Sequence, residues 1–340
     1  MAGSRMAAEI AEQPAVFDSL VARQGDFASV ASLIAARRPR FALLAARGSS
    51  DHAALYAKYL IEVLLQLPAG LVSPSTTTLY GARPDFTDVL YLSVSQSGGS
   101  PDLVAATEAA RAQGALTVAV TNTPSSPLSD AAELSVDIKA GDELAVAATK
   151  TYSATLLSLY LLVDAVRGGS AEAVQGIGEL ASTALTAPVE DAVERFRAIE
   201  RVVTTGRGYS SATAAEAALK LAETSYLAAR AYSGADLLHG PVAAIDEHTG
   251  VVAVTSRGHG GTALRDVVQT VHDRGAAVLA VGSAAADTPA DLRVAVPETA
   301  EEVAPVLEIL PLQRLALGLS LARGVDPDNP RGLHKVTRTV

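Results

Sequence analysis

The chain has 340 residues, room for two domains with separate cores, and 49% of them are apolar while only 4% are aromatic. A formal charge of −10 speaks against a nucleic-acid surface, which needs a basic face to neutralise phosphates. The absence of cysteine excludes a disulfide framework, a thiolate metal centre, an iron–sulfur cluster and a cysteine nucleophile within this sequence.

Residues 1–30 read as a helical arm without the cationic start and apolar run of a secretion signal, which favours a cytoplasmic setting. From Phe41 an apolar run ends at Arg47-Gly48-Ser49-Ser50 and gives way to a helical pattern over 53–65. A second apolar run, 89–94, ends in Ser95-Gln96-Ser97-Gly98-Gly99-Ser100, and Pro101 is suited to the first turn of the helix that follows. A third run ends at Thr121-Asn122. Short β runs alternating with longer helical stretches predict βαβ units, so 31–165 reads as one α/β domain with a doubly wound parallel sheet. The richest apolar run, 154–163, is too short to cross a bilayer and contains Ser158 and Tyr160, so no membrane partner is expected. Residues 166–200 read as an Ala/Glu-rich helical connector with Pro188 inside it.

Beyond the connector the pattern returns. Arg207-Gly208 repeats Arg47-Gly48 and 249–258 repeats 89–98, both at an offset of 160 residues, while 274–282 repeats 113–121 at 161. Residues 201–323 therefore form a second domain of the same kind, by internal duplication. The tail, 324–340, opens with the turn-rich Gly324-Val-Asp-Pro-Asp-Asn-Pro-Arg331 and is expected to lie outside the core.

Ligands of doubly wound sheets bind beyond the carboxyl ends of strands, where loops feed helix N-termini. Ser95, Gln96, Ser97 and Ser100, with Ser50 in a neighbouring loop, put hydroxyls and backbone N–H groups where an anion is favoured. A helix cap needs one Ser, so the surplus points to a cradle for a monophosphate. The loop is neither a Walker loop nor G-x-G-x-x-G, and no nucleotide, NAD or other cofactor is expected. Its duplicate, Ser256-Arg257-Gly258-His259-Gly260-Gly261, has lost most of the hydroxyls, which leaves the second half for catalysis.

Glu216, Lys220 and Glu223 share one helix face. They read either as a solvated pair worth about 0.3–0.5 kcal/mol or as a titratable cluster. His239, before Gly240-Pro241, reads as structural or as an acid/base group. His52, His248, His259, His272 and His334 show no metal-ligand spacing, so no metal is expected. By itself Lys335 is a charge on a tail.

Together Glu9-Ile10-Ala-Glu12-Gln13-Pro14, Gly48-Ser49-Ser50, Ser95-Gln96-Ser97-Gly98, Val146-Ala-Ala148-Thr149-Lys150, Glu216 through Tyr226, His239-Gly240-Pro241 and Asp328 through Lys335 resemble the sugar isomerase (SIS) domain family. Within it the chain is similar to the isomerase half of the glucosamine-6-phosphate synthases and to stand-alone glucosamine-6-phosphate deaminases. The resemblance implies two flavodoxin-like SIS domains and a phosphosugar held by Ser50, Ser95, Gln96, Ser97 and Ser100, with Gly48, Ser49, Val146, Ala148 and His334 completing the ligand contacts. It further implies that Glu223 shuttles a proton between C1 and C2, with Glu216 and Lys220 in support. His239, reaching across a homodimer, would open the ring, and Lys335 would be the amine that condenses with a ketose carbonyl.

Several positions depart from the synthase pattern. Ala148 stands where the third loop usually has Ser, Gly99 where the synthases have Glu, and Leu238 where they have Lys. Without cysteine the chain cannot itself release ammonia from glutamine as they do. The expected reaction is therefore the catabolic one, glucosamine 6-phosphate to fructose 6-phosphate and ammonia. Alternatives are a synthase-type subunit without its own glutaminase, a galactosamine 6-phosphate deaminase, a fructosamine 6-phosphate deglycase, and a phosphosugar sensor without turnover.

Overall fold

Apolar runs that are buried on both faces form the middle of two sheets in the structure, a computed structural model describing residues 2–333 and Lys335. The first sheet comprises β1 (Phe41–Ala45), β2 (Ala69–Leu71), β3 (Val89–Val94), β4 (Leu116–Thr121) and β5 (Leu134–Asp137), all parallel, in the order β2-β1-β3-β4-β5. The second comprises β6 (Arg201–Gly206), β7 (Ala228–Ser233), β8 (Thr249–Val254), β9 (Ala277–Gly282) and β10 (Leu292–Ala295), in the order β10-β9-β8-β6-β7. Strand for strand the two orders are the same. Every residue of β4, β8 and β9 is buried, as expected of parallel strands covered by helices on both sides.

The chain divides into two compact units. One contains residues 16–143 and 150–175 with Lys335, and the other contains 2–15, 144–149 and 176–333. In the first, helices Gln24–Arg37 and Ser49–Leu64 pack on Lys150–Val166, while Pro101–Ala112 packs with Pro127–Ala131. In the second, Ser210–Ser225 packs on Ala304–Ala322, and Gly234–Leu238 packs on His259–Asp273.

Three local features go beyond what the sequence shows. The connector is interrupted: helix Ile177–Leu185 stops before Pro188 and Glu190–Phe196 starts after it, because proline disfavours a helical residue before it. The run 154–163 lies within helix Lys150–Val166, while among the described residues helix Ala304–Ala322 is long and apolar enough to cross a membrane, with 78% of its apolar window buried. The tail, finally, is tied to the start of the chain. Asp328 accepts hydrogen bonds from the backbone N–H groups of Arg5 (3.0 Å) and Met6 (2.9 Å), and Asp326 accepts one from Gly3 (3.0 Å). Helix Ser4–Ala22 is thus capped by carboxylates more than 300 residues away.

Candidate active site

Parallel pairing sets Ala45 opposite Ser93, so the loops that leave β1 and β3 run side by side at the carboxyl edge of the first sheet. Gly48, at φ +57°, turns the chain into helix Ser49–Leu64, whose first residues are Ser49 and Ser50. The Ser95 hydroxyl accepts from the Gly98 N–H at 3.2 Å and that of Ser97 from the Gly99 N–H at 3.3 Å. Gly98 has φ +59°, and a Cβ there would lie 2.1 Å from the Ser126 hydroxyl, so both its conformation and its packing demand glycine. The Gln96 carbonyl accepts from the Thr121 hydroxyl (3.2 Å) and the Asn122 N–H (3.1 Å), which ties the loop to the end of β4.

Ser100 is the N-cap of helix Pro101–Ala112, yet its side chain makes no capping hydrogen bond. The plain capping role therefore does not account for it. Arg47, leaving β1, pairs at 2.8 Å with the buried Asp102 in the first turn of that helix and couples the two helix N-termini. Gly48, Ser49 and Ser50 thus lie where the chain leaving β1 enters a helix, and Ser95, Gln96, Ser97 and Ser100 lie on the loop beside it, both at helix N-termini that suit an oxyanion. At its rim, burial pushes the Asp51 carboxyl above its ordinary range, against the pull of His52 and Arg47.

In the same unit Lys335 meets Glu143, with its Nζ 3.1 Å from the carboxylate. Glu143 is buried, and it also accepts from the N–H (3.1 Å) and the hydroxyl of Thr151. Its separation of 192 residues from Lys335 leaves no local signal, and the sequence analysis missed it. His334 lies outside the described residues.

The other unit carries the titratable face. Lys220 is sealed in the interior, 3.3 Å from the Glu216 carboxylate and 2.6 Å from that of Glu223. Burial opposes its charge, but the two carboxylates prevail and hold the ammonium well above the ordinary lysine range. The solvated reading of this face is therefore wrong. Side-chain exposure is 0% for Glu216, 1% for Lys220 and 23% for Glu223, so a ligand could be touched only by Glu223. Glu216 and Lys220 stand behind it as positioning groups.

Val146 and Ala148, half-buried, belong to a stretch of this unit fixed by Glu9, which accepts from the N–H groups of Leu144 and Ala145. Gln313 donates to the Thr149 carbonyl at 3.1 Å. His239 follows helix Gly234–Leu238 and is exposed, before Gly240 at φ +126°. Its backbone N–H donates to Asp236, while its ring has no hydrogen bond among the described residues. Among those residues no group of three or more His, Cys, Asp or Glu side chains is placed to hold a metal.

The SIS domain family matches the chain twice, over residues 37–165 and 196–323. A glutamine–fructose-6-phosphate aminotransferase (isomerizing) from Gloeobacter violaceus is 36% identical over 97% of this chain and 58% of its own length. This chain therefore spans little more than half of that relative. A proposed phosphosugar isomerase from Silicibacter pomeroyi has a solved structure with a TM-score of 0.89 and 34% identity, covering 96% of this chain and all of that one. The C-terminal domain of the glucosamine–fructose-6-phosphate aminotransferase from Francisella tularensis follows with a TM-score of 0.83 and 25% identity over 95% of this chain. With both repeats matched, and each sheet in the expected order, the chain belongs to the SIS domain family.

Proposed function

We propose that the protein is a phosphosugar isomerase of the deaminase type, converting glucosamine 6-phosphate and water to fructose 6-phosphate and ammonia. The observation that carries this reading is the buried Glu216–Lys220–Glu223 cluster, in which only Glu223 is open to a ligand. Lys220 hydrogen-bonds that carboxylate at 2.6 Å and fixes its orientation, as a base working on a C–H bond requires.

In the proposed sequence the phosphate is held by the Ser95–Ser100 loop with Ser50, and His239 protonates the ring oxygen as the C1 hydroxyl is deprotonated. Glu223 then takes the proton from C2 and returns it to C1, while the C1 oxygen gains the proton that the C2 amino group gives up, leaving a C1 alcohol and an imine at C2. Lys335 displaces the ammonia by attack at C2, and water hydrolyses the resulting lysine imine to release the ketose. The charge on Lys335 must first pass to a base, and Glu143 is in contact with its Nζ. A homodimer, with His239 acting in the partner's site, belongs to this proposal.

The names of the aminotransferase relatives favour a second reading, the reverse reaction with ammonia from solution or from a separate glutaminase. One assay separates the two: ammonia release coupled to fructose 6-phosphate formation, run forward on amino-sugar phosphates and backward on fructose 6-phosphate with ammonium. Glu223→Gln should lower turnover by roughly 10²–10⁴-fold while leaving binding of the substrate intact. Activity in neither direction, or a nearly unimpaired Glu223→Gln enzyme, overturns the proposal.

A further inference from the structure

The duplication permits a position-by-position comparison of the two anion cradles. At the offset of 160, Ser210 answers Ser50, Ser256 answers Gln96, Gly258 answers Gly98, and His259 and Gly260 answer Gly99 and Ser100. In the first repeat no carboxylate among the described residues of that unit bonds to Ser50, Ser97 or Ser100. In the second, Ser210 and the N–H groups of His259 and Gly260 are each held by a carboxylate.

Both oxygens of Glu301 lie on the N-terminus of helix His259–Asp273. Oε2 accepts from the His259 N–H at 2.9 Å and Oε1 from the Gly260 N–H at 2.6 Å. A Cβ on Gly258 would stand 2.3 Å from Oε2, and one on Gly260 would meet the Arg207 carbonyl at 2.5 Å before Oε1 at 3.0 Å. Seven residues along, Glu308 occupies the other loop. Its oxygens accept from the Ser210 hydroxyl at 2.9 Å and the Thr213 hydroxyl at 3.3 Å, and Ser210 lies 3.5 Å from the Ser256 hydroxyl. Glu308 is fully buried, and Glu301 is half-buried.

A pair of successive N–H groups, hydroxyls from two adjacent loops and glycines cleared for an oxyanion are the makings of a phosphate site. Here the oxyanion is supplied from within. We propose that the second repeat is an anion cradle kept filled by the chain's own Glu301 and Glu308 carboxyl groups, so that a phosphorylated ligand is taken by the first repeat alone. It follows that removing Glu301 uncovers a second oxyanion site. The adjoining cleft is lined by Ser256, Arg257, Thr262, Arg265 and Asp287, and Arg257 is paired there with Asp287 at 3.1 Å.

This goes beyond the proposed function, which needs only one cradle. The test is thermal unfolding of the full chain against inorganic phosphate, in Ser97→Asp to close the first cradle and in Ser97→Asp with Glu301→Ala. The double variant should melt a few degrees lower without phosphate, having lost an anion at a helix N-terminus, and recover those degrees along a saturable phosphate curve. Ser97→Asp with Glu247→Ala, the same change of charge at a distant exposed position, should show no such recovery. A double variant no more responsive to phosphate than Ser97→Asp alone overturns the proposal and leaves Glu301 as a helix cap. If Ser97→Asp does not fold, phosphate stoichiometry in Glu301→Ala against wild type decides, with two per chain expected against one. Phosphate binding that persists in Ser97→Asp alone counts against the proposed function instead, since the internal anion is judged by the increment that Glu301→Ala adds.

Discussion

Lys220 shows how far one residue's environment can depart from what its spacing suggests. Its spacing to Glu216 and Glu223 was legible in the sequence as one helix face. Its burial was not, because it depends on packing between Ser210–Ser225 and Ala304–Ala322, helices far apart in sequence. Removing the ammonium leaves Glu216 buried beside an unbalanced Glu223. Lys220→Ala should therefore cost about 3–5 kcal/mol in chemical denaturation, against at most about 1 kcal/mol for a solvated pair. Glu308 makes a prediction with the opposite electrostatic sense. Burial, only partly offset by the Ser210 and Thr213 hydroxyls, pushes its carboxyl up to about 7 from an ordinary 4.5. The folded protein then holds a proton that the unfolded chain loses first. The stability this confers is complete below pH 4.5 and is lost as the pH rises through 7. Its size is on the order of 3 kcal/mol. Glu308→Gln, always neutral, should flatten that stretch of the stability curve and melt above wild type at pH 8, as thermal unfolding across pH 5–8 would reveal.

Strands and the turns that follow them were the most legible elements. A strand covered on both faces is simply an apolar run, and the run at 89–94 coincides with β3. The repeat offset carries information that no single run holds, since β6, β8 and β9 fall where β1, β3 and β4 predict them. Helix Ala304–Ala322 was harder to see as a core element because Glu308, Gln313 and Arg314 break its apolar pattern, although the first two are themselves buried. The capping of helix Ser4–Ala22 left no trace at all, since Asp-Pro-Asp-Asn-Pro reads equally well as a free turn. Asp328→Ala should destabilise that helix by about 1–2 kcal/mol and Asp328→Asn by less, since an amide oxygen can still accept a hydrogen bond. Hydrogen exchange at Arg5 and Met6 would report the loss directly.

Across the whole molecule, the duplicated halves have kept their sheets and diverged at their loops. One retains a hydroxyl-rich loop pair, and the other carries the buried Glu216–Lys220–Glu223 cluster. The sequence displayed this division through the lost serines of the second loop, but not the carboxyl groups that replaced the anion there. Assembly is the remaining prediction at this scale. If His239 serves its partner's site, neither His239→Ala nor Glu223→Gln homodimers can turn over, yet mixed dimers hold one intact site. Subunits exchanged at equal concentration should recover about a quarter of wild-type activity. No recovery in demonstrated mixed dimers would remove His239 from the partner's chemistry. The bonds between the first helix and the tail also have a consequence for synthesis. Arg5 and its partner Asp328 are separated by 323 residues, which a ribosome adding about 5–20 per second needs roughly 16–65 s to make. Before that interval ends residues 16–143 and 150–175, nearly all of one unit, have been made and can begin to fold, while helix Ser4–Ala22 waits uncapped. A helix made before either sheet is thus among the last elements to find its cap.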